Sequence, residues 1–75
     1  MEEELRDVFA TELKIATSDV TDQLAYAAHP NWDSLAHMSL VEAIENKFNI
    51  YLEPDDVVDM SSFAVAKTIV KTYLK

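Results

Sequence analysis

Not one of the 75 residues is glycine, and this restricts how the chain can turn. Every connection has to be made by residues that carry a Cβ, so wherever a left-handed backbone is needed Asn31, Asn46 and Asn49 are the natural candidates. Cysteine is absent as well. No disulfide framework or thiolate zinc site can therefore reinforce a chain short enough to bury only about 60% of its unfolded surface on folding. One thin core must come from packing alone.

The apolar residues, 49% of the chain, recur in periodic groups that argue for order despite the high charge. Leu5, Val8, Phe9 and Leu13 follow a helical period behind Glu2, Glu3 and Glu4, whose charge suits the positive end of a helix dipole, and predict a first helix over roughly residues 3–15. No clean period appears from Ala16 to Asp33, where Thr17-Ser18-Asp19, Thr21-Asp22 and His29-Pro30-Asn31 are turn or capping clusters. Loops this long are uncommon in small domains. Ile15, Val20, Leu24 and Tyr26 can pin this one to the core, so it reads as ordered with a short helical turn.

Asp33 or Ser34 can cap a second helix running to about Phe48, with Leu40, Val41, Ile44 and Phe48 as its buried stripe. Pro54 suits a first helical position and opens a short third helix over Pro54 to Asp59, after which Ser61 and Ser62 offer the next cap. Ala66, Ile69, Val70 and Tyr73 repeat at helical spacing in a fourth, with Lys67, Lys71 and Lys75 toward its C-terminal end. The expected architecture is all-α: a small four-helix bundle of three main helices and one short one, in a single domain over residues 1–75.

Fourteen acidic against six basic residues give a net charge of −8, which repels nucleic-acid phosphates and anionic lipids and favours a basic macromolecular partner. No apolar run is long enough for a membrane span, and Met1-Glu2-Glu3-Glu4 lacks the basic start of a secretory signal, so a cytoplasmic monomer is expected. On the second helix Leu35, Met38, Glu42 and Glu45 fall on one stripe with Ser34 at its head. Such a face suits docking, the apolar pair making contact and the acids steering a basic surface. The plainer reading makes Leu35 and Met38 boundary core residues and the acids ordinary solvated charges.

The run Asn31-Trp32-Asp33-Ser34-Leu35-Ala36-His37-Met38-Ser39-Leu40, with Glu45 and Phe48 beyond it, resembles the attachment site of the acyl carrier protein family. The Asp-Ser-Leu tripeptide alone is a weak signal, but its place in this helix plan is specific, and the similarity extends over nearly the whole chain. The resemblance implies that Ser34 carries a covalent 4'-phosphopantetheine arm taken from coenzyme A, with Asp33 and Leu35 beside it. It further implies that the arm's thiol holds acyl intermediates as thioesters in fatty-acid, polyketide or related biosynthesis. The partners implied are a phosphopantetheinyl transferase and acyl-loading and acyl-transferring enzymes that dock on the second helix through Leu35, Met38, Glu42 and Glu45. The chain would then be a carrier and not an enzyme. Asn31 stands where the family often has glycine, and Lys47 with Asn46 where primary fatty-acid carriers are often more acidic; both leave room for a specialised pathway.

Other readings use the same residues. A hydrolase would take Ser34 as nucleophile, His29 or His37 as base, and Asp33 or Asp22 to orient it, but the chain has no Gly-x-Ser-x-Gly elbow and little volume for a pocket. His29, Asp33 and His37 have irregular spacing for a metal site, and Asp55, Asp56 and Asp59 lack the glycine of a calcium loop. His37 reads more simply as a boundary residue and His29 as a solvated loop residue. Trp32 either packs the long loop onto the bundle or lines the route of an attached chain. The remaining alternative is an unmodified helical interaction domain that docks a basic partner through the second helix, with Ser34 a plain cap.

Overall fold

Helix α1, Glu2–Leu13, opens with three glutamates in its first turn, where the unpaired N–H groups and the dipole favour negative charge. In the computed structural model, which describes residues 1–74, it is followed by a 3-10 turn at Thr17–Asp19, helix α2 at Ser34–Phe48, helix α3 at Pro54–Asp59 and helix α4 at Phe63–Tyr73. The described residues contain no strand. A single bridge pairs Ala25 with Ser62, tying the long loop to the start of α4. No helix among them is long and apolar enough to cross a membrane.

Helix boundaries follow local chemistry. Asp33 caps α2 by accepting the Ala36 N–H at 2.9 Å, Pro54 begins α3 where its missing N–H costs nothing, and Ser62 caps α4 through the Val65 N–H at 3.1 Å. Both longer helix ends close in the same way. Lys14 and Asn49 turn left-handed with φ of 58° and 55°. The isoleucine after each then sends its N–H back five residues, Ile15 to Ala10 at 3.0 Å and Ile50 to Glu45 at 3.1 Å.

The third left-handed residue is Ala27, at φ 65°. Of the three asparagines expected in this role, only Asn49 takes it. Asn46 lies inside α2, and Asn31 instead spends its side-chain amide on the Leu13 carbonyl at 3.0 Å, one of the acceptors left open at the end of α1. Position, set by where a helix must stop or a loop must fold back, outweighs residue preference here.

The core joins all the helices and the loop. Leu5, Phe9 and Leu13 of α1 meet Leu40 and Ile44 of α2 and Phe63, Ala66 and Val70 of α4, while the loop contributes Val20, Leu24 and Trp32. Phe9 stands edge-on to both Trp32 and Phe63, with ring centroids 5.3 and 5.0 Å apart. Phe48, expected in the buried stripe of α2, is partly buried and packs against this cluster.

Two polar ties hold the periphery. Lys67 does not complement the end of α4 as its position in the sequence suggests; its ammonium reaches Asp22 at 2.6 Å and Glu2 at 3.6 Å, linking α4 to the loop and to α1. Lys75 lies outside the described residues. The Tyr73 hydroxyl donates to the Asp56 carboxylate and accepts the Glu53 N–H at 2.9 Å, fastening α3 to α4.

The hydrogen bond to Asp22 holds the Lys67 ammonium above its ordinary value, and that to Asp56 does the same for the Tyr73 phenol. A pKa raised on folding adds stability that is present below the unfolded value and lost as pH rises through the folded one. Chemical denaturation followed between pH 8 and 11 should therefore show stability holding to about pH 10 and declining above it, and Tyr73→Phe should reduce the decline. Ala27→Gly should raise the unfolding free energy by about 0.5 kcal/mol, because relief of left-handed strain exceeds the added freedom of the unfolded chain; a urea titration checks it.

Candidate functional site

The first turn of α2 is exposed on one side and anchored on the other. Ser34 is its first residue and is exposed, and its hydroxyl has no hydrogen-bond partner among the described residues. The Ala36 N–H is satisfied by the Asp33 side chain and the His37 N–H by the Asp33 carbonyl at 2.8 Å. The Ser34 and Leu35 N–H groups have no intrahelical acceptor, as in the first turn of any helix. Beside them lies an open cleft of about 460 Å³, lined in part by Lys14, Asn31, Asp33, Leu35 and Ser39.

The anchored side is Trp32, which is 0% exposed. Its backbone N–H donates to His29 at 3.0 Å and its carbonyl accepts from Ala27 at 2.9 Å, while the indole packs edge-on to Phe9 and Tyr26. Of its two readings, packing of the loop is the one that holds. The indole N–H donates to His37 Nδ1 at 3.0 Å. An indole nitrogen can only donate, so Nδ1 must accept and the proton sits on Nε2. Nε2–H in turn donates to the Val57 carbonyl of α3 at 2.8 Å. The two ring planes lie 20° apart with centroids 6.0 Å apart, the geometry of rings joined edge to edge by a hydrogen bond.

This arrangement removes the hydrolase reading. Both nitrogens of His37 are engaged away from Ser34, and His29 Nδ1 accepts the Asn31 N–H of its own loop at 3.0 Å. Neither histidine is left as a base for the serine. The boundary position expected of His37 is correct as to burial, but its role as a three-way connection was missed. The one signal in the sequence is a tryptophan and a histidine five residues apart across a helix start.

On the opposite face of α2 the apolar pair is exposed, Leu35 at 80% and Met38 at 63%, so neither belongs to the core. Glu42 is exposed beside them. Glu45 is not an equivalent fourth member. At about 100° per residue Glu45 lies about 20° from Met38 and about 80° from Leu35, so burial and bonding, not direction alone, set it apart. It is half-buried there, and its carboxylate accepts the Leu52 N–H at 2.9 Å, holding the connection between α2 and α3. Ser39 lies nearer to Leu35 around the helix and is exposed.

The cap predicts a graded response. Asp33→Ala should cost about 1 kcal/mol of stability and Asp33→Asn much less, because asparagine also accepts the Ala36 N–H; thermal unfolding of the two variants side by side measures the difference.

With the geometry in place, comparison with protein families adds one finding. The family model described as phosphopantetheine attachment site matches residues 3–65, from the first turn of α1 into the first turn of α4.

Proposed function

Because the chain belongs to the phosphopantetheine attachment site family, we propose that Ser34 is the residue through which its covalent arm is held. Family membership makes the chain a carrier of 4'-phosphopantetheine that separate enzymes modify and use, without catalysis of its own. The arm supplies a thiol that holds acyl groups as thioesters.

The observation that carries the assignment to Ser34 is its exposed, unpartnered hydroxyl on the first turn of α2, between the capping Asp33 and the exposed Leu35. The residues around it fit an anionic phosphodiester. The Ser34 and Leu35 N–H groups and the helix dipole favour negative charge at this end of α2, and Ser34 is exposed. In the modification reaction the Ser34 oxygen attacks the β-phosphorus of coenzyme A, its proton passes to a base on the transferase, and the adenosine bisphosphate half leaves. Asp33 acts by holding the turn, since its carboxylate is committed to the Ala36 N–H.

Leu35, Met38 and Glu42 form the docking face of this reading, with Glu45 at its edge. Two exposed apolar side chains next to an acid suit a partner that presents an apolar patch within a basic rim. The partners are a phosphopantetheinyl transferase and acyl-loading and acyl-transferring enzymes of fatty-acid, polyketide or related synthesis. The carrier works as a single cytoplasmic domain over residues 1–75, as a monomer.

Incubation with coenzyme A and a broad-specificity phosphopantetheinyl transferase, followed by intact mass, is expected to add one phosphopantetheine unit to the wild-type protein and none to Ser34→Ala. No gain in folded wild-type protein across several transferases would sink the assignment and favour an unmodified interaction domain.

A further inference from the structure

Ser34 has no side-chain bond of its own, so its position is inherited from its neighbours, and the strongest of these constraints ends at His37. The Trp32 indole N–H is buried and must have an acceptor, since an unpaired buried donor costs about 1–3 kcal/mol. His37 Nδ1 is that acceptor. The other end of the ring satisfies the Val57 carbonyl, which lies so close to the end of the six-residue α3 that no helical N–H is available to it. One imidazole thus serves a donor two residues before Ser34 and an acceptor on another helix, from a position one turn after Ser34.

The surroundings leave the ring this single role. Tyr26 closes it edge-on with centroids 5.3 Å apart. Tyr26, Val57, Val58, Met60 and Ser61 line with it a shallow cleft of about 270 Å³ between the loop and α3. Among the described residues none of the ion pairs includes His37.

We infer that His37 is a positioning residue for the modification of Ser34: the Trp32–His37–Val57 hydrogen-bond chain sets the turn that presents the serine hydroxyl and locks it to α3. This rests on Ser34 being the attachment residue. The docking face of α2 is on the opposite side of the helix, so loss of the chain acts on presentation and not on encounter. In transferase kinetics it therefore appears in kcat and leaves KM for the carrier unchanged.

The test is steady-state kinetics of a phosphopantetheinyl transferase with coenzyme A on wild-type protein, His37→Leu, His37→Gln and Trp32→Phe, each checked for helical circular dichroism and cooperative unfolding. His37→Leu keeps apolar volume without either bond, Trp32→Phe removes the donor without leaving one unpaired, and glutamine offers an acceptor and a donor in place of the ring. The expected result is a fall in kcat of about tenfold for His37→Leu and Trp32→Phe, the scale of a small misplacement of a reacting group, with KM within about twofold and substantial recovery in His37→Gln. Wild-type kcat in either folded variant, or a loss in His37→Leu that glutamine does not restore, overturns the positioning role.

If His37→Leu does not fold, Trp32→Phe decides the kinetics. Independently, nitrogen chemical shifts of the wild-type imidazole should report the Nε2–H tautomer, and a proton found on Nδ1 overturns the chain. Absence of any mass gain in wild-type protein is a different failure: it removes Ser34 as the attachment residue, and this inference with it.

Discussion

A buried indole with one acceptor organises this molecule. Trp32 belongs to a twenty-residue connection, yet it is among the most deeply buried side chains and sits where α1, α2 and the loop converge. Without it the thin core would lose its largest apolar group, a deletion of the kind that costs about 3–5 kcal/mol against a total stability of only about 5–15 kcal/mol for a typical domain. Burial of the ring would leave its N–H unpaired, at a cost of about 1–3 kcal/mol, if His37 did not accept it. The same imidazole then reaches Val57, so that satisfying one polar atom also places α3.

The consequence for function lies in how the two sides of α2 divide the work. Leu40, Val41, Ile44 and the ring of His37 face the interior and fix where the helix is. Leu35, Met38 and Glu42 face out and make no contribution to the core. Ser34 sits at the junction, free in its side chain and held in its backbone by the Asp33 cap and the anchored Trp32. A proposed attachment point needs this combination: accessible to another protein's active site, but presented by a rigid turn, with freedom of movement left to the arm.

How legible this was depended on the range of the interactions involved. The α2 start, the proline opening α3 and the Ser62 cap were all readable, because each is decided within three or four residues by a named side chain. So was the buried stripe of α2, which periodicity sets. The left-handed positions were readable only at Asn49; at Lys14 and Ala27 the backbone accepts a strained conformation because the surrounding turn requires it, and no local preference announces that. Spacing put Glu45 with Leu35 and Met38, but it could not show that the Glu45 carboxylate is taken up by the Leu52 N–H, a contact that depends on how the α2–α3 connection folds back. The link of His37 to Trp32 spans only five residues and left a faint signal in the spacing, whereas its link to Val57 bridges twenty residues to another helix, which spacing does not encode.

The acidity of the chain can be divided in the same way. Glu2, Glu3 and Glu4 occupy the first turn of α1, and Asp55 and Asp56 that of α3, where the helix dipole accommodates them. Asp22 and Glu2 are paired with Lys67, Asp33 caps α2 and Glu45 holds Leu52. After these commitments Glu42 is the acid left on the α2 face beside Leu35 and Met38. For the proposed basic partner, attraction would therefore come mainly from the net charge of −8, acting over about a Debye length, and less from specific pairs at the contact. Long-range charge raises association rates, whereas desolvated charge pairs slow dissociation. As the proposed docking face, two apolar side chains and one free acid on a strongly acidic body would favour fast encounter with short residence. That balance suits a carrier that must leave one enzyme to reach the next.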